Sequence, residues 1–270
     1  MPRICVGPAR AMYVGPGLNL APHRNVAMAI AVSLQVPFAL RTSNSWGEWS
    51  DWCSQLVAVI PSDTLHHLKS DGPMAFLYLD PLMDRRSSLN ENEMQDGRKV
   101  LLKAGPTLGI NDAFAAFGLS PKKPRDEKIA QVVQEIERRP AAFARMHDAA
   151  ALAHLSPSRF RARFDAELGL PFRRYRLWRR MAVVMRTLSL GGNLTDAATA
   201  AGFASSAHLS STFKRMFGLS PSDIRALGVT IDLSEDEVLA KTCVQPTQGE
   251  AALARRPPGA HAQDTHDLSK

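Results

Sequence analysis

The sequence predicts an α+β chain: a small antiparallel β-barrel at the N-terminus, followed by an all-α domain of seven helices with two helix-turn-helix motifs. Three observations carry this. Short apolar runs broken by turn clusters fill residues 1–85, and helical periodicity fills residues 121–228. Within the helical part a pattern repeats: Phe164, four residues, Gly169-Leu170, and forty-nine residues later Phe213, four residues, Gly218-Leu219.

In the first segment the runs Ala11–Val14, Val26–Leu34, Phe38–Thr42, Trp49–Trp52, Leu56–Ile60 and Met74–Leu79 read as strands. Gly15-Pro16-Gly17, Ser43-Asn44-Ser45 and Asp71-Gly72-Pro73 separate them, and strands this short and close suit a barrel or jelly roll. Two helices follow, about Asn92–Lys103 and Asn111–Phe117. The proline-broken basic stretch Ser120-Pro121-Lys122-Lys123-Pro124 is the expected boundary. Domains are therefore expected at 1–120 and 121–228, with 229–270 a disordered tail, because AALARRPPGAHAQDTHDLSK has no apolar period.

From Asp126 a helix with Ile129, Val132, Val133 and Ile136 on one face runs to Arg139, where Pro140 ends it. A first helix-turn-helix uses Asp148–Ala153 and then Ser156-Pro157 to Leu168, with Phe160 and Phe164 inward. A long helix, about Pro171–Leu188, leads to the second. There Asn193 and Asp196 form a capping pair, and Gly202 supplies the positive φ of the turn. The next helix, about Ser206 to Phe217, buries Leu209, Phe213, Met216 and Phe217 and turns Ser206, Ser210 and Lys214 outward. Gly218 stops it, and Ser220-Pro221 with Asp223 starts another. His154 stands where Gly202 stands in the other copy, a residue that tolerates positive φ better than most.

Charge follows this division. Residues 1–120 carry ten basic and ten acidic side chains, residues 121–228 nineteen and nine, and residues 229–270 four and seven. A basic excess confined to the helix-turn-helix segment points to a polyanion partner. No apolar run is long enough to span a membrane, and MPRICVGPAR lacks the apolar core of a signal peptide. Cys5, Cys53 and Cys243 lie far apart, which suits a reducing cytoplasm.

Ala198, Gly202-Phe203, Leu209, the run F-K-R-M-F-G from Phe213 to Gly218, and S-P-x-x-I-R from Ser220 to Arg225 together resemble the C-terminal signature of AraC/XylS-type transcription regulators. The long helix fits as their linker helix through Tyr175 and Arg180-Met181, although Val184 and Thr187 replace the usual Ala and Leu. More loosely, His23 after Ala21-Pro22, the stretch VAVIPSDTLHHL and LYLDP are similar to the cupin-like sensor half of such proteins. The resemblance implies a regulator that binds operator DNA, with a sensing and pairing N-terminal half: a small-molecule effector and a homodimer. Carried over residue by residue, the base-reading positions are Ser158, Arg161 and Ala162 in the first motif and Ser206, Ala207, Ser210 and Ser211 in the second. Arg159, Arg163, Lys214 and Arg215 then fall beside phosphates. Arg173, Arg174, Arg176 and Arg179 on the linker helix are phosphate contacts or solvated charges, and the sequence does not choose.

An enzyme is the competing reading, a cupin-type metal isomerase or dioxygenase with a helical appendage. It needs a compact His/Glu set, and around His23 there is neither a second His nor a Glu at the right spacing. Adjacent His66 and His67 on a strand point to opposite faces. A DNA-repair alkyl transferase would need an activated cysteine, and none of the three has a basic or His-rich neighbourhood. No metal, no cofactor and no catalysis are expected. His23, His66 and Trp49 are the candidate effector contacts, with a structural or surface role as the alternative for the histidines and core packing for Trp49.

Overall fold

The computed structural model describes residues 1–7, 10–81, 89–120, 124–140 and 143–234. Its strands are β1 (Arg3–Val6), β2 (Arg10–Gly15), β3 (His23–Arg24), β4 (Met28–Ser33), β5 (Phe38–Thr42), β6 (Cys53–Gln55), β7 (Val57–Ile60), β8 (Leu65–Lys69), β9 (Met74–Leu79) and, beyond the helices, β10 (Thr230–Leu233). The helices are α1 (Glu91–Ala104), α2 (Ile110–Ala115), α3 (Glu127–Arg138), α4 (Met146–Leu152), α5 (Pro157–Leu168), α6 (Phe172–Ser189), α7 (Leu194–Ala200), α8 (Ser206–Phe217) and α9 (Pro221–Ala226). Residues 121–123 of the expected boundary and residues 235–270 of the expected tail lie outside the described residues.

The strands form two sheets, in the orders β10-β1-β2-β9-β4-β7 and β3-β8-β5-β6. The α+β reading holds, but the expected barrel is not closed: among the described residues no strand pairs one sheet with the other. The first sheet has side chains packed on both faces. Cys5, Met12, Ile30, Val32, Ala75 and Leu77 point to α1 and α2, where Leu101, Phe114 and Phe117 meet them. The alternate residues Ile4, Val6, Tyr13, Ala29, Ala31 and Phe76 point to the second sheet and to α6, α7 and α8. Burial on both faces explains why β4 and β9 read as unbroken apolar runs rather than alternating ones. Helices thus take the place of the strands that would complete a barrel.

The start of the expected tail needs correction. Thr230–Leu233 is strand β10, paired in parallel with β1, Thr230 opposite Arg3 and Leu233 opposite Val6. The segment after the last helix therefore returns to the edge of the N-terminal sheet and covers it. Trp49–Trp52 is not a strand either. The Asn44 side chain accepts from the backbone N–H groups of Trp46 and Glu48, which turns the chain, and ladder pairing starts only at Cys53. β1 and β8 were missed, β8 because its inward side chains are His66 and Leu68, so a buried histidine breaks the apolar alternation.

The helices divide between two cores. Ile129, Val132, Ile136, Ala149, Phe160, Phe164, Phe172 and Tyr175 make one, closed by α3, α4, α5 and the start of α6. Trp178, Met181, Val184 and Met185 further along α6 join α7 and α8 in the core shared with the N-terminal sheets. The first helix-turn-helix has its own core, whereas the second shares one with the N-terminal domain.

Candidate nucleic-acid interface

Each half of the helical domain is set by local chemistry. Ser156 accepts from the Arg159 N–H and precedes Pro157, so α5 starts there; Gly169, at φ 72°, ends it. Ser205 accepts from the His208 N–H to start α8, and Gly218, at φ 75°, ends it. The expected capping boxes of Asn193 with Asp196 and Ser220 with Asp223 are both formed. The two turns match: His154 has φ 51° and Gly202 φ 71°. The histidine adopts the left-handed conformation that the other copy gives to glycine.

On α5, Phe160, Phe164 and Leu168 are buried while Ser158, Arg159, Arg161 and Ala162 are exposed. The Arg161 side chain, 71% exposed, stands 3.8 Å from the Asp165 carboxylate one turn on. On α8, Leu209, Thr212, Phe213 and Met216 are buried; Ala207, Ser211, Lys214 and Arg215 are exposed, and Ser206 and Ser210 half-exposed. Phe217 is half-buried and meets Tyr78 of β9 edge-on at 5.6 Å. The recognition helices therefore offer unlike surfaces, one with guanidinium groups throughout, the other with hydroxyls and a basic end.

The remaining arginines are mostly structural. Arg163 donates to the Asp126 carboxylate at 2.5 Å, tying α5 to the cap of α3, so it does not stand free beside a phosphate. Arg174 pairs with Asp63 of the N-terminal domain at 2.7 Å, and Arg176 donates to the Ala144 carbonyl at 3.3 Å. Arg179 is buried beside Asp80, whose carboxylate also accepts from the Trp178 indole at 3.1 Å. Of the four linker-helix arginines, only Arg173 is exposed. Sequence reasoning gave no role to Arg180, which clamps the second turn: it donates to the carbonyls of Ala201 and Gly202, each at 2.6 Å, and lies 3.8 Å over the Phe203 ring. Asp80 and Asp63 were also missed, because their partners are about a hundred residues away.

The three candidate effector contacts do not converge. His23 and His66 are buried cross-strand neighbours with ring centroids 4.1 Å apart. Each donates through Nδ1–H to the carbonyl two residues before it, Ala21 and Thr64, at 2.8 Å. Trp49 lies with His67 on the opposite side of β8, where Arg41 stacks 4.6 Å from both Trp49 and Trp52. The reason is the strand period: His66 faces in, so His67 and the indoles beside it face out. Among the described residues no cluster of three or more His, Cys, Asp or Glu could hold a metal.

Burial lowers the His23 pKa from its usual 6.5 to about 3, the facing His66 adding to the effect, and burial lowers His66 too. The unfolded chain then binds protons that the folded chain refuses. Stability should be full above about pH 6.5 and fall as pH drops toward 3. Urea titrations across that window check it; His23→Asn should flatten part of the acid limb, and an unchanged slope would remove His23 as its source.

Gly218 couples α8 to β3. A Cβ there would lie 2.7 Å from the Ala21 carbonyl oxygen and from His23 Nδ1. Gly228 also has positive φ, 62°, but open space around it. Gly228→Ala should cost about 1 kcal/mol, the backbone strain alone. Gly218→Ala should lower the melting temperature further by pushing α8 off the N-terminal domain; equal shifts for both would refute the coupling.

Comparison with known proteins agrees with this geometry. A helix-turn-helix domain family matches residues 149–226, from α4 through α9. Residues 149–226 thus carry a helix-turn-helix domain of the kind that binds DNA in transcription regulators. Among solved structures, an apo form of ToxT from Vibrio cholerae shares the fold at TM-score 0.52 and 11% identity, covering 81% of this chain and 96% of ToxT. Unsaturated fatty acid-bound ToxT gives TM-score 0.50 and 10% identity over 82% of this chain and 97% of that one. The DNA-binding domain of AdpA, solved with a target DNA, is 26% identical over 37% of this chain and 90% of that domain, at TM-score 0.34. No curated protein matches the chain. The chain thus pairs a helix-turn-helix half with a two-sheet N-terminal half, and among its described residues no helix is long and apolar enough to cross a membrane.

Proposed function

We propose that the regulator reads its operator through α5 and α8 inserted into successive major-groove segments, with α5 supplying most of the sequence specificity. One observation carries this: two matching turns present two exposed helix faces, and only the α5 face has an exposed multi-donor side chain among the mapped base-reading positions, Arg161. The 18 residues of α6 span about 27 Å, comparable to the roughly 34 Å between groove segments on one side of a duplex. Arg159, Lys214 and Arg215 contact phosphates, and Ser206, Ala207, Ser210 and Ser211 set register. The N-terminal half senses a small molecule, a reading supported by the ligand-bound neighbour of the same fold. The protein acts in the cytoplasm, as a homodimer, without catalysing a reaction.

Selection from random duplexes with the full-length protein should yield two half-sites. The logarithm of the affinity for the selected duplex should fall linearly with log salt, a loss of about 10³-fold between 50 and 200 mM if some six phosphates are neutralised. Equal affinity for a scrambled duplex at the same salt would overturn the sequence-specific reading.

A further inference from the structure

The two helix-turn-helix motifs are held in the molecule differently. α7 and α8 share a hydrophobic core with the N-terminal sheets. α3, α4 and α5 close a core of their own with Phe172 and Tyr175 at the start of α6. α6 therefore belongs to both cores, and the seam between them falls between Tyr175 and Trp178. The helix sets the distance between the cores. Long helices curve, however, and a small change of curvature at the seam swings α5 relative to α8.

The support found at the seam is polar. The Asp80 side chain, at the end of β9, is fully buried. Its carboxylate accepts from the Trp178 indole at 3.1 Å and lies 3.5 Å from Arg179 Nη1. The same Nη1 stands 3.8 Å from the carboxylate of Glu137, in the last turn of α3. One guanidinium, its side chain 8% exposed, thus lies between a carboxylate of the N-terminal domain and a carboxylate of the first motif's own core bundle. Burial raises the Tyr175 pKa well above the usual tyrosine value and the Asp80 charge adds to it, so Asp80 acts on that core as well. Hydrophobic contact is non-directional, whereas a hydrogen bond weakens steeply with a change of angle. Of the contacts at the seam, the polar ones are those that resist a roll or bend of α6.

We propose that Asp80 is a positioning residue for DNA reading: from the N-terminal domain it holds α6 at the seam and so fixes the spacing and angle at which α5 and α8 meet the duplex. The assignment rests on the reading that both helices contact the operator. It gives the N-terminal half a direct part in which operators are accepted, through a carboxylate that itself touches no DNA.

The test uses the full-length protein and four duplexes: the selected operator, the operator with one base pair inserted between the α5 and α8 half-sites, a duplex keeping one half-site, and a scrambled one. One base pair turns the half-sites by about 35° and shifts them by about 3.4 Å relative to each other. In the unaltered protein the insertion should weaken binding at least about tenfold, because a rigid link serves one spacing. In Asp80→Asn it should cost less than about threefold, with affinity for the single half-site unchanged. Asp80→Leu/Arg179→Met removes both buried charges together and guards against Asp80→Asn failing to fold; it should melt near the unaltered protein and show the same tolerance. Gly228→Ala, strained after α9, should keep the full penalty. A folded seam variant that keeps the full penalty overturns the assignment. So does a loss on the single half-site as large as that on the operator, a double variant that does not fold, or a Gly228→Ala protein that loses the penalty, since each makes the role merely structural. If the unaltered protein prefers the operator to the scrambled duplex yet tolerates the insertion, the role of Asp80 falls and sequence reading stands; equal binding of operator and scrambled duplex removes the reading itself.

Discussion

Phe164→Ala is expected to cost about 3–5 kcal/mol and to melt the first helix-turn-helix while the rest of the protein stays folded. Phe164 is fully buried, with the rings of Phe160, Phe172 and Tyr175 packed around it at 5.4 to 5.8 Å. Removing its ring leaves a cavity that α3, α4 and α5 can refill only by abandoning their crossing. These helices share a core separate from the one that joins α7 and α8 to the sheets. The loss should therefore remain local. All four tryptophans, Trp46, Trp49, Trp52 and Trp178, lie outside the Phe164 core, so tryptophan fluorescence reports the other part of the molecule. In urea, helical circular dichroism should fall early and the fluorescence midpoint should stay where it is. Coincident shifts of both signals would mean that the molecule unfolds as one unit and that the two cores are not independent.

Arg161→Ala is expected to weaken operator binding by about 1–3 kcal/mol and to relax base preference at one or two positions. Its side chain is well exposed on α5, and its contact with Asp165 at 3.8 Å is a loose surface pair that holds it over the groove-facing surface at little cost to exchange. A guanidinium can grip guanine O6 and N7 together, whereas the hydroxyls of Ser206, Ser210 and Ser211 cannot. Ser210→Ala should change overall affinity slightly and preference not at all. The measurement is affinity for the operator and its single-base variants at one salt concentration. Intact preference in Arg161→Ala, with scrambled preference in Ser206→Ala or Ser210→Ala, would make α8 the reader.

Parts of the fold whose causes lie within a turn or two of chain can be read from the residues alone. The caps at Asn193 and Asp196, at Ser156-Pro157 and at Ser220-Asp223, the stops at Gly169 and Gly218, and the inward rows of α3, α5 and α8 are local effects, and all were legible. So was the positive φ at His154, once the repeat aligned it with Gly202. The tertiary structure alone decided matters that hang on distant partners. Thr230–Leu233 is a strand only because β1 offers it an open edge more than two hundred residues earlier in the chain. Arg163, Arg174, Arg179 and Arg180 are alike in sequence, and their roles were set by where Asp126, Asp63, Asp80 and the Ala201 carbonyl came to lie. His23 and His66 share an interior that Trp49 does not, because a strand turns successive side chains to opposite faces and the chain must fold before it is known which face is inside.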